Sequence, residues 1–266
     1  MSSDRIIAAP VLAAIMVVFS ALFSCTVLED RELCPCYITF DLSDAAAARP
    51  DYLLFSLKGE GGWKRTDTIE VGDGLKEYYV AVPKGKVDVM VMDQNNRGFL
   101  EGDGLVASPG LQFPKANMHI RTLDARGESC LDTVRLHKNY CILTVRLVDS
   151  EGENWPFSLK LVSDCVGYAM GGSLIQGDFW IESVPDEEGC LQFSIPRQYD
   201  DLMRAEILTK DLVLRSFSIG TVLTAAHYDW NKADLDDVTM EIDFASAKIA
   251  LTIDKWSSKQ YFNLVI

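Results

Sequence analysis

The sequence predicts an all-β chain built as two tandem antiparallel β-sandwiches. Three observations carry this. First, apolar residues recur at every second position in many short runs, as in residues 36–42 (CYITFDL). That period sends alternate side chains to opposite faces of a strand. Second, Gly, Pro, Asp or Asn separate the runs, which is the turn chemistry of antiparallel sheets. Third, beyond residue 24 no long window keeps the i, i+3, i+4, i+7 apolar stripe that a packed helix needs.

The chain opens on an export signal, residues 1–24. An apolar run over residues 6–23 follows Arg5 and ends at Ser24-Cys25. Such a run enters a bilayer, and the small Ser24 leaves the scissile bond open to a peptidase. The Cys25 thiol is the nucleophile that would carry a thioether-linked diacylglycerol. Cleavage is therefore placed between Ser24 and Cys25, with Cys25 as the lipid attachment residue. A plain cleaved signal and a membrane-spanning helix are the competing readings. The run is at the short end of what spans a bilayer, and Pro10 and Ser20 interrupt it. Residues 25–35 then form a lipidated tether, acidic at Glu29, Asp30 and Glu32.

The N-terminal sandwich is placed at residues 36–137. Residues 36–42 are its first strand, 44–51 an Ala-rich loop or helical turn, and 52–58 a second strand. Residues 76–92 (KEYYVAVPKGKVDVMVM) are expected to form a hairpin. Pro83 presets one turn dihedral there and Gly85 supplies the positive one. A Gly-rich irregular stretch covers 93–114, and strands follow at 118–123 and 131–136. A boundary falls near His137-Lys138-Asn139. The C-terminal sandwich, residues 138–266, holds strands at 141–148, 157–162, 191–195, 204–208, 212–219, 238–244, 247–253 and 261–266. Modules of roughly 100–125 residues are of usual domain size. The sequence displays no internal repeat.

The 266-residue chain carries 39 Asp and Glu against 25 Lys and Arg, a net charge of −14. That charge argues against nucleic acid and anionic headgroups as partners. A hydrophobic content of 48% is ample for packed cores. With Cys25 lipidated, Cys34, Cys36, Cys130, Cys141, Cys165 and Cys190 remain, an even set. They are the disulfide candidates, since export permits disulfides, and buried free thiols are the alternative. A bond between Cys34 and Cys36 would be strained.

No catalytic constellation emerges. His119, His137 and His227 each sit beside a strand or at its end, without a nucleophile signature. They are expected to face solvent or lie on edge strands. The Cys-x6-His-x3-Cys spacing of Cys130, His137 and Cys141 is not a standard zinc pattern. Asp234, Asp236, Asp237, Glu241 and Asp243 lack a Gly-centred calcium loop and are expected to solvate the start of a strand. The glycines build no phosphate loop. Trp63, Trp155, Trp180, Trp230 and Trp256 are expected to pack in cores or on sheets rather than to form a glycan platform. No metal, cofactor or enzymatic activity is expected.

Three stretches together carry a resemblance. The first is residues 25–36 (CTVLEDRELCPC), running straight into a strand. The second is residues 79–86 (YVAVPKGK). The third is the tail: Tyr228-Asp-Trp230, then Asp234-Leu-Asp-Asp237, then residues 241–256 (EIDFASAKIALTIDKW) and the closing 262–266 (FNLVI). The chain resembles the FimB-type fimbrial anchoring subunits of Bacteroidota, the lipoproteins of type V pili. The resemblance implies two transthyretin-like sandwich domains and a surface-exposed location on the outer membrane. It implies two partners, fimbrial pilin subunits and outer-membrane lipid through Cys25. It also implies a basal role, holding the fibre by strand-addition contacts. The competing class is a surface glycan- or ligand-binding lipoprotein, which would show a concave aromatic cluster at loop tips.

Overall fold

A computed structural model describes residues 34–48, 50–72, 75–93, 100–101, 103–148, 157–210, 212–243, 248–254 and 260–263. In chain order the first half holds β1 (Cys36–Asp41), a short helix (Ser43–Ala47), β2 (Tyr52–Gly59), a 3-10 turn (Glu60–Gly62), β3 (Lys64–Glu70), β4 (Glu77–Val82) and β5 (Lys86–Met92). β6 (Leu100–Glu101), β7 (Gly104–Val106), β8 (Asn117–Asp124), β9 (Ser129–Thr133) and β10 (His137–Lys138) follow. The second half holds β11 (Tyr140–Val148), β12 (Ser158–Ala169), β13 (Leu174–Ser183), β14 (Cys190–Pro196), β15 (Arg204–Thr209) and β16 (Leu212–Ser218). A helix (Ile219–Ala225) then precedes β17 (Val238–Asp243), β18 (Lys248–Ile253) and β19 (Gln260–Asn263). The all-β class read from the alternation is the observed one.

The first core lies between the sheet β4-β1-β9 and the sheet β10-β8-β5-β2-β3. Ile38 and Phe40 of β1 and Val80 and Val82 of β4 meet Leu53, Phe55 and Leu57 of β2 and Val87, Val89 and Val91 of β5. The Phe40 and Phe55 rings sit 5.2 Å apart, and Tyr78 adds a third ring 4.6 Å from Phe55. The expected hairpin at 76–92 does not form. β4 pairs with β1, whereas β5 pairs with β2 and β8, so the link through Pro83 and Gly85 crosses from one sheet to the other. Both arms carry the alternation because both face the same core. Alternation alone does not say which strand is the neighbour.

The second core lies between β14-β11-β17-β18-β19 and β16-β15-β12-β7-β6, with β13 also pairing β12. Most pairs are antiparallel, but β1 pairs β9 in parallel, and β11 pairs β17 in parallel. Each half thus begins with a strand flanked by one antiparallel and one parallel partner. This repetition of topology has no counterpart in the sequence. The sheet β10-β8-β5-β2-β3 is covered on both faces. Leu53, Phe55, Val87, Val89 and Val91 enter the first core, while Leu54, Met90, Met92 and Met118 enter the second.

The hairpin β6–β7 leaves the first half and joins the sheet of the second: Gly104, Leu105 and Val106 lie opposite Ala169, Tyr168 and Gly167 of β12. Asp103, in its turn, binds Lys58 of β2 and Lys64 of β3. The pairing needs two glycines. A Cβ at Gly167 would lie 1.9 Å from the Leu105 carbonyl oxygen, and one at Gly104 would lie 2.4 Å from that of Tyr168. Neither backbone can yield without breaking the ladder. Gly167→Ala is expected to lower the unfolding free energy by about 2–4 kcal/mol. Gly72→Ala, which meets no atom within 4 Å, should change it by less than about 0.5 kcal/mol. Equal urea midpoints for the two variants would contradict this account.

Candidate functional site

Ser24, Cys25 and the tether up to residue 33 lie outside the described residues, as do Trp155 and Trp256. The remaining cysteines stand as free thiols. Cys34 is exposed, Cys36 is buried at the start of β1, and Cys130 is half-buried on β9 against the same core. Burial, then the neighbouring Cys130 thiol, pushes the Cys36 pKa up. Cys141 on β11 and Cys165 on β12 are buried, and Cys190 is half-buried on β14. Cys141 belongs to the second core and Cys130 to the first, so the Cys130, His137, Cys141 spacing does not bring the two thiols into one core.

His119 is not a solvent-facing residue. It lies on β8, 8% exposed, and its Nε2 is 2.8 Å from Oδ2 of Asp132 on β9, itself 3% exposed. The backbone N–H of Arg135 donates to Nδ1 at 3.3 Å. Nδ1 is therefore the acceptor, and the ring proton sits on Nε2, aimed at the carboxylate. Arg121 donates to the other Asp132 oxygen at 3.1 Å. The group ties one sheet of the first sandwich to the other.

The acidic stretch is also more than a solvated strand start. Asp234 accepts from the Lys138 backbone N–H at 2.9 Å, and His137 lies 3.4 Å from it. Asp237 accepts from the Ile142 N–H at 2.7 Å, and Asp236 is buried beside Lys232. Asp234 and Asp237 satisfy backbone donors of β10 and β11, and with the Asp236–Lys232 pair they fasten the loop before β17.

A cleft forms where that loop approaches the β14–β15 connection. The helix Ile219–Ala225 starts at Ser218, whose hydroxyl accepts from the Thr221 N–H at 3.2 Å, an N-cap. Gly220 sits so close to the 201 position that a Cβ would lie 2.3 Å from the Asp201 carbonyl. The helix ends at His227, in the left-handed region at φ +58°. His227 N–H donates to Thr224 O and Tyr228 N–H to Leu223 O, each at 3.0 Å. This is a Schellman closure with histidine where glycine is usual. It turns the chain so that Tyr228 enters the core, its hydroxyl donating to Asp236 O at 2.6 Å. Trp230 packs edge-on against Tyr228, ring centroids 4.5 Å apart.

Arg197, just after β14, holds the other side. Its N–H donates to the Tyr168 hydroxyl at 3.0 Å, and its guanidinium donates to the carbonyls of Trp230 and, at 2.8 Å, Lys232. The Tyr199 hydroxyl donates to Asp164 at 2.7 Å and accepts from Gln176 at 3.0 Å, fixing the ring. The result is an open cleft of about 480 Å³, lined by residues 197–201 and 228–231 with Leu174 and Thr224. Trp230 packs against the second core, as the sequence predicts, and also lines this cleft. The run of Tyr, Asp, Trp and Asn at 228–231 was the available signal.

The sheet edges are the second feature. β16 ends its sheet, pairing β15 on one side. Leu212, Val213 and Leu214 on it are 68%, 53% and 43% exposed. An apolar strand that, among the described residues, pairs on one side alone is a template for a further strand.

No protein-family model matches the chain, and no curated protein matches it. Solved structures share its fold. A candidate adhesin from Bacteroides ovatus aligns with a TM-score of 0.57 at 11% identity, over 86% of this chain and 96% of that one. The fimbrial anchor protein Mfa2 from Porphyromonas gingivalis aligns at 0.57's near equal, a TM-score of 0.55, with 13% identity over 84% and 98% of the two chains. A candidate polysaccharide-binding protein from Bacteroides thetaiotaomicron aligns at 0.52, with 11% identity over 86% and 98%. At such identities the likeness is one of fold.

Three outcomes follow from this geometry. Replacing His227 with Gly removes the left-handed strain and is expected to raise stability by about 0.5–1 kcal/mol in urea melts; a loss would mean that the imidazole holds the loop. Burial pushes the Cys141 thiol up to about 12 and the Cys165 thiol up to about 11, from 9.0. Burial also pushes Tyr168 up to about 12, from 10.0. The folded chain thus keeps protons that the unfolded chain releases, so stability should fall as pH rises above about 9. At pH 8 a disulfide reagent should label Cys34 in the native chain and reach Cys141 and Cys165 only on unfolding.

Proposed function

We propose that this chain is a non-enzymatic subunit of a surface fimbrium, carried on the outer membrane by a lipid on Cys25 and acting as the basal subunit. The observation that carries the reading is the fold, shared over 84% of this chain and 98% of a fimbrial anchor protein. The N-terminal Ser24-Cys25 and its acidic tether support the anchoring part. The exposed apolar edge of β16 supports the assembly part, because strand addition supplies main-chain hydrogen bonds while alternate side chains fill pockets. Residues 36–137 and 138–266 are taken as its two modules, the first lending the 100–106 hairpin to a sheet of the second. Stable attachment needs more than one acyl chain, a condition that a diacylated or triacylated Cys25 meets.

The test is fractionation of cells making Cys25→Ala beside the native chain. The variant and the fibres that it holds are expected in the medium, with polymeric pilin co-purifying with the native chain from outer membranes. Retention of the variant in the outer membrane, or a native chain that brings no pilin, would overturn the reading.

A further inference from the structure

We propose that the cleft between residues 197–201 and 228–231 binds a short neutral saccharide. The inference does not rest on the fimbrial reading and would hold for a surface lipoprotein of either kind. It begins with the aromatic walls. Tyr199 is 43% exposed, Trp230 is half-buried, and Tyr228 stands behind Trp230 in an edge-on contact. An aromatic face offers apolar area and a negative quadrupole to the weakly positive C–H groups on one face of a sugar ring.

Polar groups complete the lining. Asp200 gives Oδ1 to the Leu202 N–H at 3.0 Å and Asp229 gives Oδ1 to the Asn231 N–H at 2.9 Å. Those bonds hold each carboxylate in place while its Oδ2 can meet a hydroxyl. Gln198 is 2% exposed, and its Nε2 donates to the Pro196 carbonyl at 2.8 Å. Its Oε1 is buried without a hydrogen-bond partner among the described residues.

Charge sets the class of sugar. The lining holds Asp200, Asp201 and Asp229 against a single cation, Arg197. That cation is committed to the carbonyls of Trp230 and Lys232 and to Asn139 Oδ1. Uronic or sialylated saccharides would meet carboxylates with no available counter-charge, so the cleft selects neutral ones. Its volume, about 480 Å³, falls within the range of about 300–1,000 Å³ usual for small-ligand sites. The walls are also set before binding: Arg197, the Schellman turn at His227 and the close approach at Gly220 fix both loops, which lowers the ordering cost of association.

The experiment uses the full chain in detergent micelles. It reads tryptophan fluorescence and calorimetry against an array of neutral di- to tetrasaccharides, with trigalacturonate and tetralysine as charged probes. At least one neutral saccharide is expected to bind saturably. Trp230→Ala should weaken it about tenfold or more. Asn231→Ala, at an exposed position, should weaken it too and is the variant least able to disturb folding, which circular dichroism checks. Three outcomes would overturn the proposal: no neutral saccharide binds, binding is unchanged in Asn231→Ala, or trigalacturonate or tetralysine binds more tightly than every neutral saccharide. None of these outcomes bears on whether pilin co-purifies with the chain, so the two readings fail separately.

Discussion

The rest of the molecule depends on burying one sheet from both sides. In β10-β8-β5-β2-β3 the odd positions 87, 89 and 91 of β5 enter one core and the even positions 90 and 92 enter the other. Neither core is complete without this sheet. The residue types suit their tasks. The face toward β1 and β4 is branched and aromatic, Val, Leu and Phe, which fit a flat pleat. The face toward the second core includes Met90, Met92 and Met118, whose unbranched thioethers adapt readily to their neighbours.

This constraint explains what could be read from the sequence and what could not. Strands with one wet face, such as β1, β11 and β17, show clean alternation, and their limits were legible to within a residue or two. β5 looks alternating only at Val87, Val89 and Val91; Met90 and Met92 are equally buried, so the period there marks two destinations rather than inside and outside. That is why 76–92 resembles a hairpin. β3 and β13 escaped notice because polar or exposed residues fill most of their length. The helix Ile219–Ala225 spans about two turns, too short for a helical stripe to stand out.

The candidate sites divide in the same way. Cys25 is a local signal, an apolar run followed by a small residue and a thiol, and needs no tertiary structure to be seen. The cleft is assembled from segments near 174, 198, 224 and 230, and only pairing of β12 with β13 and β15, and the turn at His227, brings them together. His119 was misjudged for a related reason. Its burial comes from β9 in the opposite sheet, and its partner Asp132 occupies an inward position that a sequence pattern assigns to an apolar residue. A buried histidine with both nitrogens engaged is a brace, and only the partners reveal that.

The proposed basal role places a demand on this architecture. A strand added at β16 would load β15, and through it β12, by main-chain hydrogen bonds. From β12 the ladder to β7 reaches Asp103, which grips Lys58 on β2 and Lys64 on β3. The doubly buried sheet then faces β1 across the Phe40–Phe55 contact, and β1 begins at Cys36, about ten residues beyond Cys25. Every link in this path except the last is a sheet ladder, a charge pair or a packed ring. The glycines at 104 and 167 are therefore more than accommodations to crowding: among the described residues, they permit the ladder that joins the sheet of β16 to the first half. Two cores that share a sheet and are bridged by one hairpin cannot part without breaking the β7–β12 ladder.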